Sequence, residues 1–209
     1  MLFRSSRYFI QAEKELDGSG IELKKMRVAG TETIEQWIAQ RLENNQSVGI
    51  DSSLFSFTEY NSLKLAFNNL NIQLCNDPFE TIWTERPPLK FSPVSLLSEE
   101  YTGESVKSKH NRLKTLLNVE GQFLYIISSC DEIAWLCNIR GRDIPYNPLP
   151  LSYAAVSAEK IFLFVDSSSF TLQDKRALER DDVVIMPYDT FSSFITDYPE
   201  RALRIANPD

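Results

Sequence analysis

Three prolines within seven residues, Pro87, Pro88 and Pro93, constrain this chain of 209 residues more than any other local feature. A proline has no backbone N–H, fixes its own φ angle and restricts the residue before it. Regular structure is therefore not expected through residues 83–93. This segment is predicted to be a linker that divides the chain into two halves.

The first half alternates strand-type and helix-type segments, which is the pattern of an α/β fold. Residues 47–51 and 72–75 have the pattern of short strands, and Ser56 is the predicted N-cap of the helix between them. The other predicted elements are a strand ending at residue 3, a helix over 7–16, a strand near 21–26 and a helix opening at 31–32.

The second half shows the same alternation. Residues 123–128 form a nearly continuous apolar run, which is typical of a strand covered on both faces. The other predicted elements are helices over 102–119, 131–137, 172–180 and 189–198, a strand pair over 152–157 and 160–166, and a strand over 183–186. Residues 200–209 have no clear pattern.

Charge and hydropathy exclude several classes of function. The net charge of −7 disfavours nucleic acid and anionic membranes as partners. No run of 18 apolar residues predicts a membrane span, and no apolar segment of signal-peptide length follows Met1. The three cysteines have no metal-type spacing, so they are expected to be reduced thiols. We therefore expect a cytoplasmic protein that binds neither nucleic acid nor membrane.

The sequence offers little catalytic chemistry. Its one histidine, His110, lies among charged residues on the predicted helix 102–119 and is expected at the surface, as are Lys109 and Arg112. The paired acids at residues 99–100 and 181–182 are expected to be solvated at element ends. A nucleophile motif and a glycine-rich phosphate loop are absent. No catalytic residue and no metal ligand is therefore assigned.

A stiff polar loop follows the helix predicted over residues 131–137. Its prolines reduce the entropic cost of holding polar groups in place. The candidate interface or substrate-entrance residues are Trp135, Arg140, Arg142, Asp143, Tyr146, Asn147 and Tyr153. Arg140 and Arg142 could clamp a carboxylate of a ligand or of a neighbouring domain. The alternative is that Arg142 and Asp143 satisfy only the loop backbone and the surface.

Several sequence blocks follow one another in an order that resembles a known family. Asp-Glu-Ile-Ala-Trp-Leu at residues 131–136 and Asn-Ile-Arg-Gly-Arg-Asp-Ile at residues 138–144 are similar to the signature of the second domain of long, three-domain aminopeptidases P. The further blocks that agree in order are residues 6–12, 48–51, 77–87, 101–103, 146–148 and 152–154. Collinear agreement of this many blocks is more specific than any single motif.

The resemblance implies a fold and a context. It implies an α/β fold of two creatinase N-terminal-like, ribonuclease H-like units, each with a mixed sheet flanked by helices. The first would cover residues 1–97, with an exit linker at about 84–97, and the second would cover residues 98–209. In the family they precede a pita-bread metallopeptidase domain that holds two divalent metal ions, commonly manganese. They also help to form dimers and to shape the entrance for a peptide with proline in second position.

The chain also departs from the family pattern. The first unit is expected to begin late, the second is expected to be incomplete at its end, and the catalytic domain's metal ligands have no counterpart. The chain is therefore predicted to be inactive alone and to hold no cofactor. Its expected role is the non-catalytic amino-terminal portion of an Xaa-Pro aminopeptidase, associating with itself or with a separate catalytic domain. The alternative is a stand-alone module that binds proteins or peptides, including proline-containing peptides, in a groove lined by Trp135, Tyr146 and Tyr153.

Overall fold

The computed structural model describes residues 1–199 and 201–206. The chain forms two compact units that divide between Arg86 and Pro87. The division lies earlier than the expected boundary after residue 97. Val94 is buried in the core of the second unit, where its backbone N–H donates to the Ser169 carbonyl. The sequence segment chosen as a linker thus contains residues that pack with the second unit.

The first unit, residues 1–86, contains four short strands and three helices. Two 3-10 turns, Ser6–Tyr8 and Ser52–Leu54, precede two of the helices. In chain order the elements are β1 Leu2–Arg4, α1 Phe9–Leu16, β2 Leu23–Lys25, α2 Ile34–Ala39, β3 Ser47–Asp51, α3 Phe57–Ala66 and β4 Asn71–Cys75. The predicted alternation of strands and helices is confirmed.

The strands of the first unit pair in parallel, β1 with β2 and β3 with β4. Parallel strands need a crossover connection, which α1 and α3 supply. Ser56 caps α3 as predicted: its hydroxyl accepts from the Glu59 N–H, and the Glu59 carboxylate accepts from the Ser56 N–H. A capping box of the same kind, Thr33 with Gln36, begins α2. The core of this unit is small, and its buried apolar residues are Ala12, Ile50 and Phe67.

The second unit carries most of the buried core. Its elements in chain order are β5 Ser95–Leu96, α4 Glu99–Thr102, α5 Val106–Leu117, β6 Phe123–Ile127, α6 Cys130–Leu136, β7 Ile139–Arg140, β8 Tyr153–Val156, β9 Ile161–Phe164, α7 Leu172–Arg180, β10 Val183–Met186, α8 Phe191–Asp197 and β11 Leu203–Ala206.

Five strands of the second unit form one mixed sheet in the order β10-β9-β8-β6-β11. Strand β8 runs antiparallel to β6 and β9, while β10 and β11 pair in parallel with β9 and β6. The outer strand β11 was not predicted, because Arg204 interrupts its apolar residues, whereas the equally short β10 is a continuous apolar run. Residues 200 and 207–209, which the sequence analysis includes in this unit, lie outside the described residues.

Side chains are buried on both faces of this sheet. One face packs against α5, α6 and α7 through Val106, Ile133 and Leu178. The opposite face packs against α8 through Phe191 and Phe194. Strand β6 is therefore covered on both faces, as its nearly continuous apolar run predicted. A short antiparallel pair, β5 with β7, lies outside the main sheet.

The helix predicted over residues 102–119 is two helices. Helix α4 ends at Gly103, whose positive φ of 72° is readily adopted only by glycine, and α5 begins after its N-cap Ser105. Asn118, also left-handed, ends α5 before Gly121. Leu116, near the end of α5, is exposed.

Lys109 and His110 were expected at the surface, and this expectation was wrong. Each side chain is 2% exposed. The His110 Nε2 lies 2.8 Å from the Ser157 carbonyl, so the neutral ring donates a hydrogen bond there. Burial lowers the pKa of His110 below its ordinary value of 6.5, and the bond to Ser157 opposes this shift only in part.

The burial of His110 predicts a pH-dependent stability. Below pH 6.5 the unfolded chain binds a proton at this residue, whereas the folded protein binds it only at lower pH. The free energy of unfolding should therefore fall as the pH drops from 6.5 towards the folded pKa and be retained above 6.5. Urea titrations between about pH 5 and 8 measure this slope. His110→Gln should remove it, and an unchanged slope in that variant would contradict the assignment.

Among the described residues, no helix is both long enough and apolar enough to cross a membrane.

Candidate functional site

The polar loop of the second unit begins where α6 ends. The Arg140 Nη1 donates to the carbonyl oxygens of Ala134, at 3.1 Å, and Ile139, at 2.7 Å. Carbonyl groups in the last turn of a helix have no partner within the helix, and a cationic donor satisfies them well. Arg140 therefore has a structural contact at this helix end, while the side chain of Arg142 is exposed.

Asp143 joins three parts of the second unit. Its Oδ1 accepts from the Ser92 backbone N–H at 2.6 Å, and its Oδ2 accepts from the Leu151 N–H at 2.8 Å. The Ser92 hydroxyl accepts from the Arg142 N–H at 2.7 Å, so two hydrogen bonds link Ser92 to residues 142–143. Asp143 thus satisfies backbone groups, as the alternative interpretation of the sequence held, and it fixes both the start and the end of the loop.

The loop itself is compact. A Cβ on Gly141 would lie 2.8 Å from Pro150, so only glycine allows this approach of the two backbones. The Asp143 N–H donates to the Leu149 carbonyl at 3.2 Å. At the tip, Tyr146 has a positive φ of 64° and is fully exposed, and the neighbouring Asn147 amide donates to the Pro145 carbonyl. The loop therefore presents Tyr146 on a restrained turn.

Tyr153 belongs to the aromatic packing beneath α8. Its ring stacks on Phe191, with centroids 4.2 Å apart, and on Tyr188, with centroids 5.3 Å apart. Burial raises the pKa of the Tyr188 phenol, and a hydrogen bond with Tyr153 adds to the shift. Both rings therefore act as packing groups, and the Tyr188 hydroxyl stays neutral.

The predicted groove of Trp135, Tyr146 and Tyr153 does not form. Trp135 lies on α6, which covers one face of the sheet, whereas Tyr153 packs on the opposite face. Tyr146 stands at the tip of the loop. The structure instead groups Arg142, Asp143, Tyr146 and Asn147 on one loop, and it places Trp135 beside a separate pocket.

The sequence analysis missed the residues that surround Trp135. The Lys109 Nζ donates to the Trp135 carbonyl and to the Asn138 Oδ1, both at 2.6 Å, and it lies 4.4 Å from the Trp135 ring centroid. A signal was present: Lys109 is three residues after Val106 and four before Leu113, so it shares their apolar helix face. Lys109 was nevertheless expected at the surface, because a lysine carries a charge.

The described residues contain no cluster of metal-ligating side chains. Residues 1–199 and 201–206 contain no group of three or more His, Cys, Asp or Glu side chains arranged to hold a metal ion. Cys137 is fully buried, and burial raises the pKa of its thiol to about 12, so it is not a thiolate at neutral pH. The surface residues of the second unit can support binding. The His, Cys, Asp and Glu side chains of the described residues, however, are not grouped in a way that fits a dinuclear metal site.

Two family models match the chain in tandem, both described as creatinase/prolidase N-terminal domain. One matches residues 1–82 and the other residues 85–208. The second match alone covers more than half of the chain.

Two of the similar proteins are named as Xaa-Pro aminopeptidases. Xaa-Pro aminopeptidase 1 of Dictyostelium discoideum is 32% identical over 98% of this chain and 34% of its own length. Xaa-Pro aminopeptidase app-1 of Caenorhabditis elegans is 30% identical over 95% of this chain and 33% of its own length. The chain thus spans about a third of the length of these relatives.

The fold agrees with a solved structure. The crystal structure of X-prolyl aminopeptidase from Caenorhabditis elegans, described as a cytosolic enzyme with a di-nuclear active site, superposes with a TM-score of 0.84. The two are 30% identical, and the match covers 94% of this chain and 32% of that one. The expected pair of creatinase N-terminal units is therefore confirmed.

Removal of the Asp143 carboxylate should destabilise the second unit. Asp143→Ala leaves the N–H groups of Ser92 and Leu151 without their acceptor, and each bond to a charged group contributes roughly 1.5–3 kcal/mol. We expect a loss of about 3 kcal/mol in the free energy of unfolding, measured by urea denaturation. Asp197→Ala, at an exposed helix end, is the matched control and should change stability little. Equal effects of the two variants would contradict the role of Asp143.

The cysteines should differ in reactivity. Cys75 and Cys130 are partly exposed, whereas Cys137 is buried with a raised pKa. In native protein, iodoacetamide should modify Cys137 far more slowly than the other two, because the thiolate is the reactive form. Peptide mass spectrometry before and after urea unfolding measures this difference. Comparable native rates at all three positions would contradict it.

Proposed function

Because this chain belongs to the creatinase/prolidase N-terminal domain family, we propose that it acts as the non-catalytic amino-terminal portion of an Xaa-Pro aminopeptidase. The observation that carries the proposal is that both units match the same proteins in the same order along the chain. Both units match in tandem, and relatives named Xaa-Pro aminopeptidase match over nearly the whole chain while only about a third of their own length is used. The substrate class would be peptides with proline in second position.

Catalysis would then belong to a separate metallopeptidase domain of the pita-bread fold. That domain would hold two divalent ions, commonly manganese, in keeping with the di-nuclear active site in the name of the solved relative. The described residues of this chain offer no ligand group for such ions. The contribution of this chain would be to bind the catalytic domain and to shape the approach of the peptide, in a cytoplasmic assembly or a dimer.

The polar loop is the best candidate for the contact with a catalytic domain. It presents Arg142, Tyr146 and Asn147 to solvent, while Asp143 and Gly141 hold the backbone that carries them. A restrained loop loses little conformational entropy on binding, and Tyr and Arg are the residue types that contribute most to interfaces. An exposed arginine also suits recognition of a carboxylate.

The second candidate function is a stand-alone module that binds proteins or peptides. It is favoured by one specific observation, the partly exposed Trp135 beside an apolar pocket on the second unit. This function needs no catalytic residue and no metal. Recovery of a partner unrelated to aminopeptidases in a pulldown would favour it.

The loop assignment predicts the behaviour of a matched set of variants. The double variant Arg142→Gln with Tyr146→Asn removes the two large exposed side chains, and asparagine tolerates the positive φ at residue 146. Its affinity for the catalytic two-thirds of a relative, such as the Dictyostelium enzyme, should fall about tenfold, which corresponds to about 1.4 kcal/mol. Isothermal titration calorimetry measures this change.

Tyr101→Ala is the matched control, because Tyr101 is an exposed tyrosine on α4 outside the loop. It should leave the affinity unchanged. If wild-type chain does not bind the catalytic portion, the proposed function fails. If it binds and the double variant matches the wild type, only the loop assignment fails.

A further inference from the structure

A pocket of about 250 Å³ opens between α5 and α6 on the face of the sheet opposite α8. Its apolar lining consists of Leu113, Leu116, Tyr125, Ile127, Trp135 and Leu136. The volume suits one aliphatic or aromatic side chain. The pocket lies within the second unit and is built by helices and a strand, which hold side chains more firmly than loops do.

The rim of the pocket exposes apolar surface that the fold leaves uncovered. Leu116 is 73% exposed and Trp135 is 49% exposed. Isolated exposed apolar residues are common, but these two flank the same apolar cavity. A tryptophan beside an apolar pocket is the arrangement found at the centre of many binding interfaces.

The charges at the pocket are asymmetric. Lys109 is 2% exposed, and its ammonium group is bonded only to the neutral oxygens of Trp135 and Asn138. No carboxylate among the described residues lies within ion-pair distance of it, and Glu104 acts on it only from farther away. Desolvation accordingly lowers the pKa of Lys109. A buried ammonium without a direct counter-ion favours an anion beside it.

A second cation on the α5 side, Arg112, already has a counter-ion. The Arg112 guanidinium lies 5.3 Å from the Trp135 ring centroid, and its Nη2 is paired with Glu104 at 2.6 Å. The one acidic residue that lines the pocket, Glu132, belongs to α6 on the other side. An anionic group is therefore favoured near Lys109, which lacks a direct counter-ion, and disfavoured near Glu132.

We infer that this pocket binds an aliphatic or aromatic side chain of a partner polypeptide that carries a carboxylate next to it. The side chain packs between Leu116 and Trp135 over the apolar floor, and the carboxylate faces Lys109. An apolar group without the carboxylate would cover Lys109 without supplying a counter-ion, which weakens its binding. This inference rests on the second candidate function, which uses the same pocket beside Trp135, and it is independent of the first, because it uses neither the polar loop nor a catalytic domain.

Two small probes separate the apolar and the ionic parts of the interaction. N-acetyl-leucine carries the side chain and a carboxylate, and N-acetyl-leucinamide carries the same side chain without the charge. Each is titrated into the full chain while the tryptophan indole N–H signals are followed by NMR. We expect N-acetyl-leucine to shift the Trp135 signal and to bind about tenfold more tightly than the amide, as for one charge-assisted contact.

Trp83 provides an internal reference. It is 51% exposed and has a guanidinium, Arg86, 5.1 Å from its ring centroid, but it lines no described pocket. Its signal should not move. Equal affinity for the two probes, equal shifts at both tryptophans, or no shift of Trp135 up to the solubility limit of the probes would each overturn the inference.

Variants test the two halves of the site separately. Leu116→Ser should weaken both probes alike, while Leu65→Ser, at an exposed leucine of α3, should have no effect. Lys109→Met keeps most of the side-chain volume and should abolish the preference for the carboxylate. Because Leu116 is exposed, its variant is expected to fold. The probe comparison on wild-type chain decides the question even if Lys109→Met does not fold.

Discussion

Burial of the five-stranded sheet on both faces determines where the other parts of the second unit lie. Helices α5, α6 and α7 cover one face and α8 covers the other. Between α6 and strand β8 the chain passes through β7 and a loop, and Asp143 and Gly141 fix that loop. Because the two faces of the sheet are covered by different helices, Trp135 and Tyr153 lie on opposite sides of it. One fold thus supplies two independent exposed features, a restrained polar loop and an apolar pocket.

The two units differ in how much apolar surface they bury. The first unit buries Ala12, Ile50 and Phe67, whereas the second buries apolar residues on both sides of a continuous sheet. Two-stranded sheets have little independent stability, because each strand gains only one neighbour. The second unit is therefore the more stable platform for binding, and both proposed binding surfaces lie on it.

Much of the fold could be predicted from sequence because strongly patterned elements were present. Strands 47–51 and 183–186 and helix 172–180 have the predicted bounds. The failures have physical causes. Strands β5 and β7 contain only two residues each, Arg204 interrupts the apolar residues of β11, and one glycine divides the long helix predicted before β6.

The candidate site was predicted less completely. The loop residues were chosen for their chemistry, but sequence could not show that Asp143 serves backbone groups or that Trp135 and Tyr153 face opposite ways. Lys109 and His110 were misassigned because charged residues are seldom buried, and only tertiary contacts reveal their partners. Helical spacing alone placed Lys109 on the apolar face, so its position could have been inferred.

The central claim is that this chain belongs to the creatinase/prolidase N-terminal domain family and, as proposed, leaves catalysis to a separate domain. The most direct measurement is hydrolysis of a short peptide with proline in second position by the purified, folded chain, with added manganese and with a chelator control. The account predicts no turnover above the blank under either condition. Turnover that persists through purification and is abolished by the chelator would contradict it, because it requires a metal site within this chain.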